Sequence, residues 1–287
     1  MALCAEHGVS LSFLTESGRF LARVQGPTSG NVLLRRKQYR LTDDPTAAAA
    51  IARAVVLAKI SNCRNVILRA AREHSNSESV GVLERAALRL RRITEDLVPD
   101  CDLDRIRGHE GDAAHNYFEV FDHLVLSAKE HFFFRGRSRR PPLDNLNALL
   151  SFVYTLLTHD VAAALESVGL DPAVGYLHRE RPGRPSLALD LVEEFRPPLA
   201  DRLVLSLVNR QQIDGTGFRR LESGAVIMDD ETRKTVIAAW QKRKQEEIVH
   251  PFLDERIPLG LVPYVQATLL ARHIRGDLDG YPCFFWK

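Results

Sequence analysis

The stretch TAAAAIARAVVLAKI, Thr46 to Ile60, constrains this chain more than any other. Alanine has the highest helix propensity of any residue, and the apolar positions here recur at helical spacing, so the segment commits to a helix. Nothing after it alternates in the way a sheet of any size requires. Further helices are expected over residues 80–97, 110–133, 143–168, 187–196 and on to 209, 231–247 and 262–275. Gly169, Gly183 and Gly276 stand where helices should stop, and Pro197 and Pro198 should kink or divide the helix they fall in. Residues 215–224 read as a loop with one short β-turn. Ahead of the helical part, residues 9–14 and 19–24 read as two short strands joined by the turn Thr15-Glu16-Ser17-Gly18. The expected fold is α+β: a small β-hairpin region over residues 1–38, then a large, mostly α-helical domain over 39–287. A lone hairpin is marginal in water, so it must lean on the helices or on another chain.

An apolar fraction of 45% in 287 residues is enough for a sizeable core. The formal charge of +2 does not announce a nucleic-acid binder, so any such function must rest on local arginine clusters. Cys4, Cys63, Cys101 and Cys283 form no CxxC pair, which argues against a structural zinc site and against a disulfide scaffold. No uninterrupted apolar stretch approaches the roughly 20 residues of a membrane span, and the first residues lack the order of a secretion signal. A cytoplasmic protein with no membrane partner is expected.

Steps of three and four residues from Glu110 reach Ala114, Tyr117, Phe118, Phe121, Leu124 and Val125, an apolar stripe that should face the core. At the head of a helix, Glu110 would simply complement the helix dipole. On a core-facing stripe it would instead need a partner such as a metal ion, because an unpaired buried charge is costly. On the opposite face His115, Glu119, Asp122 and His123 read as a solvated polar surface.

The Gly/Pro-rich segment 175–186 holds His178 among Arg179, Arg181 and Arg184 and can grip phosphate. Ser186 can cap the next helix, on which Asp190 and Glu193 lie at i and i+3 on one face. With Glu110 they make a hard-oxygen-plus-imidazole set suited to Mg²⁺ or Mn²⁺. Glu194 competes with Glu193 as the ligand. In the segment 131–142, Arg135, Arg137, Arg139 and Arg140 follow Phe132, Phe133 and Phe134. Either the aromatics pack inward and the arginines are solvated, or the arginines form a DNA-backbone footprint, the reading favoured here together with Arg181 and Arg184. Lys242, Arg243 and Lys244 after Trp240 form a weaker patch that a charged helix face explains equally well.

Gly108 to Phe121 (GHEGDAAHNYFEVF), Phe132 to Leu157 (FFFRGRSRRPPLDNLNALLSFVYTLL), Gly169 to Pro197 (GLDPAVGYLHRERPGRPSLALDLVEEFRP) and the C-terminal HPFLDERIPLGLVPYVQATLLARHIRGDLDGYP together resemble the Cas1 family, the CRISPR-associated adaptation nucleases and integrases. The likeness spans essentially the whole chain and is nearest to the subtype I-C variety. It implies an N-terminal β-domain, of which residues 1–38 would be a part lacking the first strands, and a helical catalytic domain that binds a divalent metal. Carried over motif by motif, it implies Glu110, His178 and Glu193 as metal ligands, with Asp190 assisting as a further catalytic acid. It also implies the reaction, attack of a DNA 3′ hydroxyl on a phosphodiester of the CRISPR repeat to insert a captured fragment. Implied partners are DNA, a second copy of the chain and Cas2. The competing expectation is a degenerate, non-catalytic DNA-binding scaffold.

Overall fold

In a computed structural model of the chain, residues 2–6, 11–15, 20–24, 32–73 and 77–286 are described. A short helix, α1 (Ala2–Glu6), precedes β1 (Leu11–Leu14) and β2 (Phe20–Val24), which pair antiparallel with Leu11 opposite Val24 and an irregularity between Phe13 and Leu14. The expected hairpin is present, while Glu16, Ser17 and Gly18 of its turn lie outside the described residues. Residues 32–38 belong to a helix, α2 (Val32–Asp43), which runs across the expected boundary at residue 38. It is anchored by Gln38, fully buried, whose amide donates to the carbonyls of Asp171 (2.8 Å) and Val174 (2.9 Å) and accepts from the Asp171 N–H (2.9 Å).

The Ala-rich segment opens α3 (Pro45–Glu73). Asp44 caps it by accepting from the N–H groups of Thr46 and Ala47, with Pro45 in the first turn where its missing N–H costs nothing. The helix is apolar on most sides because it is central, in contact with α4 (Ser77–Asp96), α5 (Leu103–Glu119) and α7 (Ser186–Phe195). Both α3 and α6 (Asn145–Ser167) are long and apolar enough to cross a membrane by length and composition, yet each is a core helix with more than half of its most apolar window buried.

Helix α5 departs from expectation at both ends. It is capped by Asp102, whose side chain accepts from the Arg105 N–H at 2.8 Å, so Glu110 lies in mid-helix and the dipole reading of that residue does not apply. It also stops at Glu119, short of residue 133. A 3-10 turn, Phe121–Leu124, follows, and then Asp122 folds the chain back by accepting from Lys129 Nζ (2.9 Å) and the Phe134 N–H (2.7 Å). Tyr117, Phe121, Leu124 and Val125 are buried, as the stripe requires.

Helix α6 is capped by Asp144 and followed by Gly169 at φ 87°. Gly183, at φ 72°, sits in the loop before α7 rather than at a helix end. Pro197 and Pro198 do divide their helix. Between α7 and α8 (Arg202–Asn209) the chain takes a π-helical turn, Arg196–Asp201, at the point where the two prolines interrupt the regular ladder. The 215–224 region is a hairpin of β3 (Phe218–Arg220) and β4 (Val226–Met228). Helix α9 (Asp230–Lys244) leads to a third small hairpin, β5 (Glu247–Val249) with β6 (Arg256–Pro258), and α10 (Val262–Arg275) ends on left-handed Gly276. All sheets among the described residues are two-stranded. The segment after α10 returns to α3, where the Asn62 amide donates to the Phe284 carbonyl (2.8 Å) and accepts from the Trp286 N–H (2.7 Å).

Candidate metal centre

Three separate pieces of chain bring Glu110, His178 and Glu193 to one place. Glu110 comes from mid-α5, Glu193 from the third turn of α7, and His178 from the loop ahead of α7. Between the carboxylates stands an ammonium that the sequence reading did not single out, Lys59 of α3. Its Nζ pairs with Glu110 Oε1 and lies 2.6 Å from Glu193 Oε2. The other Glu193 oxygen pairs with Arg196 and lies 3.8 Å from His178 Nε2. Glu193 is buried and Lys59 nearly so, whereas Glu110 and His178 keep 27% and 22% of their side chains exposed. The cluster is therefore a recess with an open side.

Its electrostatics follow from that burial. Burial alone would raise the Glu193 carboxyl, but Arg196, Lys59 and His178 outweigh it and hold the group below its usual range. Burial likewise works against the Lys59 ammonium, and Glu193 and Glu110 hold it above its usual value. Both groups are charged and mutually dependent.

Asp190 does not face the cluster directly. One of its oxygens accepts from the backbone N–H groups of Tyr176 (2.6 Å) and Leu177 (3.0 Å), and the other from the His178 N–H (2.9 Å) and the His178 ring at Nδ1 (2.8 Å). An acceptor at Nδ1 holds a proton there, so in the neutral ring the lone pair is on Nε2, which faces Glu193. Gly175 lets this loop lie on α7, since a Cβ there would stand 2.7 Å from an Asp190 oxygen and from the Ser186 carbonyl carbon.

Glu194 points elsewhere. It is fully buried and accepts from Tyr281 Oη (2.5 Å), the Phe284 N–H (2.6 Å) and the Gln266 amide (3.3 Å), fastening the segment after α10 to α7. Burial pushes its carboxyl up to about 7. The two adjacent acids left open by pattern are thus separated by geometry, with Glu193 in the cluster and Glu194 in the latch.

A second layer supports Arg196. Its guanidinium lies 5.0 Å over the Tyr154 ring, whose hydroxyl donates to Asp201 at 2.5 Å, and Tyr117 donates to the other Asp201 oxygen at 3.0 Å. Arg137 lies over the same ring at 5.2 Å, which puts the arginine loop beside the cluster. Arg137 itself is committed internally, donating to the Ser138 carbonyl (2.6 Å), Asn147 Oδ1 (2.6 Å) and Ser151 Oγ (3.1 Å). It is a tether between loop and α6 rather than an outward-facing contact. Arg135, Arg139, Arg140 and Arg181 are exposed, Arg184 is half-buried, and Phe132 and Phe134 pack inward. Of the weaker patch, Arg243 pairs with Glu246 (2.8 Å) and Lys244 with Asp160 (2.9 Å).

Among the described residues no three His, Cys, Asp or Glu side chains form a ready-made ion cage; the cations Lys59 and Arg196 stand against Glu110 and Glu193 instead. The donor set nonetheless fits a divalent ion. Two carboxylates and an imidazole with its free nitrogen turned inward suit Mg²⁺ or Mn²⁺, and the carboxylates already converge on a cation. Lys59 was legible only as one of two charges, with Arg53, in an otherwise largely apolar run, and Arg196 only as i+3 from Glu193.

The family profile of "CRISPR associated protein Cas1" matches residues 1–242. The chain belongs to the Cas1 family. It is 57% identical over 294 residues to "CRISPR-associated endonuclease Cas1 2" of Rhodospirillum rubrum, covering all of this chain and 84% of that protein. Among solved structures, its fold is shared with "Casposase bound to integration product" (TM-score 0.80, 22% identity, 100% of this chain and 77% of that one). It is similar also to a chain of a "Partial Cas6-RT-Cas1--Cas2 complex" (TM-score 0.77, 25% identity, 99% and 83%).

Proposed function

We propose that the chain is a divalent-metal-dependent DNA endonuclease and integrase, in which Glu110, His178 and Glu193 hold a Mg²⁺ or Mn²⁺ ion. The observation that carries this reading is the meeting of those three side chains from three distant segments, Glu110 and Glu193 sharing the buried Lys59 ammonium and His178 Nε2 lying 3.8 Å from the other Glu193 oxygen. Membership of the Cas1 family and 57% identity to a protein named as an endonuclease point the same way. When bound, the ion would polarise a scissile phosphate and stabilise the charge that develops on it.

The chain's own groups have distinct tasks. Asp190 fixes the His178 ring so that Nε2 presents its lone pair inward. Arg196 holds the Glu193 carboxylate in orientation, and Tyr154 supports Arg196 from below. The exposed Arg135, Arg139, Arg140 and Arg181 bind DNA phosphates without reading sequence. The substrates are a captured fragment, whose 3′ hydroxyl attacks, and the CRISPR repeat that is attacked. A second copy of the chain and Cas2 complete the assembly, in keeping with the structural neighbours titled as a casposase on its integration product and a Cas1–Cas2 complex.

The test is a panel of Glu110→Ala, His178→Ala and Glu193→Ala, assayed for Mn²⁺-dependent cleavage and strand joining beside DNA binding. Each variant should lose both reactions while keeping salt-sensitive DNA binding. Undiminished cleavage in His178→Ala would overturn the assignment and favour a binding scaffold.

A further inference from the structure

The position of Lys59 has a meaning beyond the ligand set. It rises from α3, a helix whose neighbouring positions Val55, Val56, Ala58, Ile60 and Cys63 are buried and apolar, and ends between two carboxylates from other helices. A lysine in such a place is held there only by those carboxylates, since a buried ammonium without partners is strongly disfavoured. Glu110 Oε1 and Glu193 Oε2 are the oxygens it engages, and they belong to the residues to which the metal reading gives the ion. One lone pair cannot serve both cations at close range, and an ammonium beside a divalent ion repels it.

We infer that Lys59 is a resident counter-cation which a divalent ion must displace from Glu110 and Glu193, so that it sets the metal affinity of the site without being a ligand. This rests on the proposed metal site. In the metal-free protein Lys59 keeps the acids from repelling one another and holds α3, α5 and α7 in register. On loading, its side chain withdraws along the open side of the recess, where Glu110 is 27% exposed. The arrangement makes binding weak through competing charge rather than through lack of donors.

The experiment measures Mn²⁺ binding to the full chain by titration calorimetry, and free Mn²⁺ by electron paramagnetic resonance, in wild type, Lys59→Met, Lys59→Gln and Lys59→Arg. Circular dichroism and the metal-free melting temperature report whether each variant folds. Both neutral variants should bind Mn²⁺ at least tenfold more tightly and show a larger upward melting shift on adding the ion. Lys59→Arg, which keeps the charge, should stay within about threefold of wild type. Unchanged or weaker Mn²⁺ binding in the folded neutral variants, with Glu193→Ala abolishing binding, would overturn the role of Lys59 alone. Mn²⁺ binding that survives both Glu110→Ala and Glu193→Ala would instead overturn the metal site on which it rests.

Discussion

Asp190 Oδ1 meets His178 twice, at its backbone N–H (2.9 Å) and at ring Nδ1 (2.8 Å), so a single carboxylate oxygen fixes both where the residue sits and how its ring is turned. Asparagine cannot reproduce this. If its carbonyl takes the N–H groups of Tyr176 and Leu177, its NH₂ faces two donors of His178. Asp190→Asn should therefore lower Mn²⁺ affinity and cleavage together by about 10–100-fold, the usual cost of losing a partner that orients a metal-ligating histidine. Parallel calorimetry and cleavage assays check it; full activity with unchanged affinity would remove Asp190 from the positioning role.

Gly175 makes a stability prediction on steric grounds. Of the atoms nearest a Cβ there, Ser186 C (2.7 Å) and Leu187 N (2.8 Å) are backbone and cannot swing aside. Gly175→Ala should cost about 1–3 kcal/mol by overpacking. Urea denaturation read at the midpoint checks it, and a neutral result would show that the loop and α7 can separate freely.

The arginine loop divides into two kinds of residue. Arg139→Ala and Arg140→Ala should weaken binding to every DNA sequence alike and lower the slope of log K against log salt by about one for each phosphate left without its arginine. Arg137→Ala should instead lower the melting temperature, because it strips partners from Asn147 and Ser151. Electrophoretic binding across a salt series and thermal melts separate the two effects. A salt slope that falls for Arg137→Ala with no change in melting would reverse the division.

Two buried acids give stability a definite dependence on pH. Burial raises Glu194 to about 7 and Asp201 to about 6, each above its ordinary value, so the folded protein holds protons that the unfolded chain has released. Their contribution is full below the ordinary carboxylate range and is lost as pH rises through the raised values. For Glu194 the window runs from about pH 4.5 to 7 and the loss is about 3 kcal/mol. Glu194→Gln has no proton to release, so whatever offset its amide contacts impose, its melting temperature relative to wild type should rise between pH 5 and pH 7.5. A constant difference across that range would contradict the assignment.

Much of this was legible in sequence because the signals were local. Alanine propensity gave α3, Gly169 and Gly276 gave the ends of α6 and α10, and the apolar stripe gave the buried face of α5. The extent of α5 was not legible, since its stop depends on Asp122 gathering Phe134 and Lys129 from further along the chain. Helix α2 was absorbed into the β-region because its anchor, Gln38, bonds to Asp171 and Val174, more than 130 residues away. At the site, residue types offered Glu110, His178, Asp190, Glu193 and Glu194, and the resemblance to the Cas1 family selected Glu110, His178 and Glu193 among them. The roles of Lys59, Asp201 and Tyr154, and the inward commitment of Arg137, exist only once α3, α5, α6 and α7 are packed together.

The adjacent acids of α7 carry a consequence for how such a chain can change over generations. Successive residues on a helix are turned by about 100°, which is why Glu193 looks toward Lys59 while Glu194 looks toward Tyr281 and Phe284. A point substitution alters one of these acids and leaves the other in place. A one-codon insertion or deletion between Asp190 and Glu193 would rotate both at once, sending a carboxylate out of the recess while misaligning the latch. The number of residues in α7 is therefore fixed by two tasks at once, whereas the exposed turn between β3 and β4 can lengthen or shorten without touching either acid.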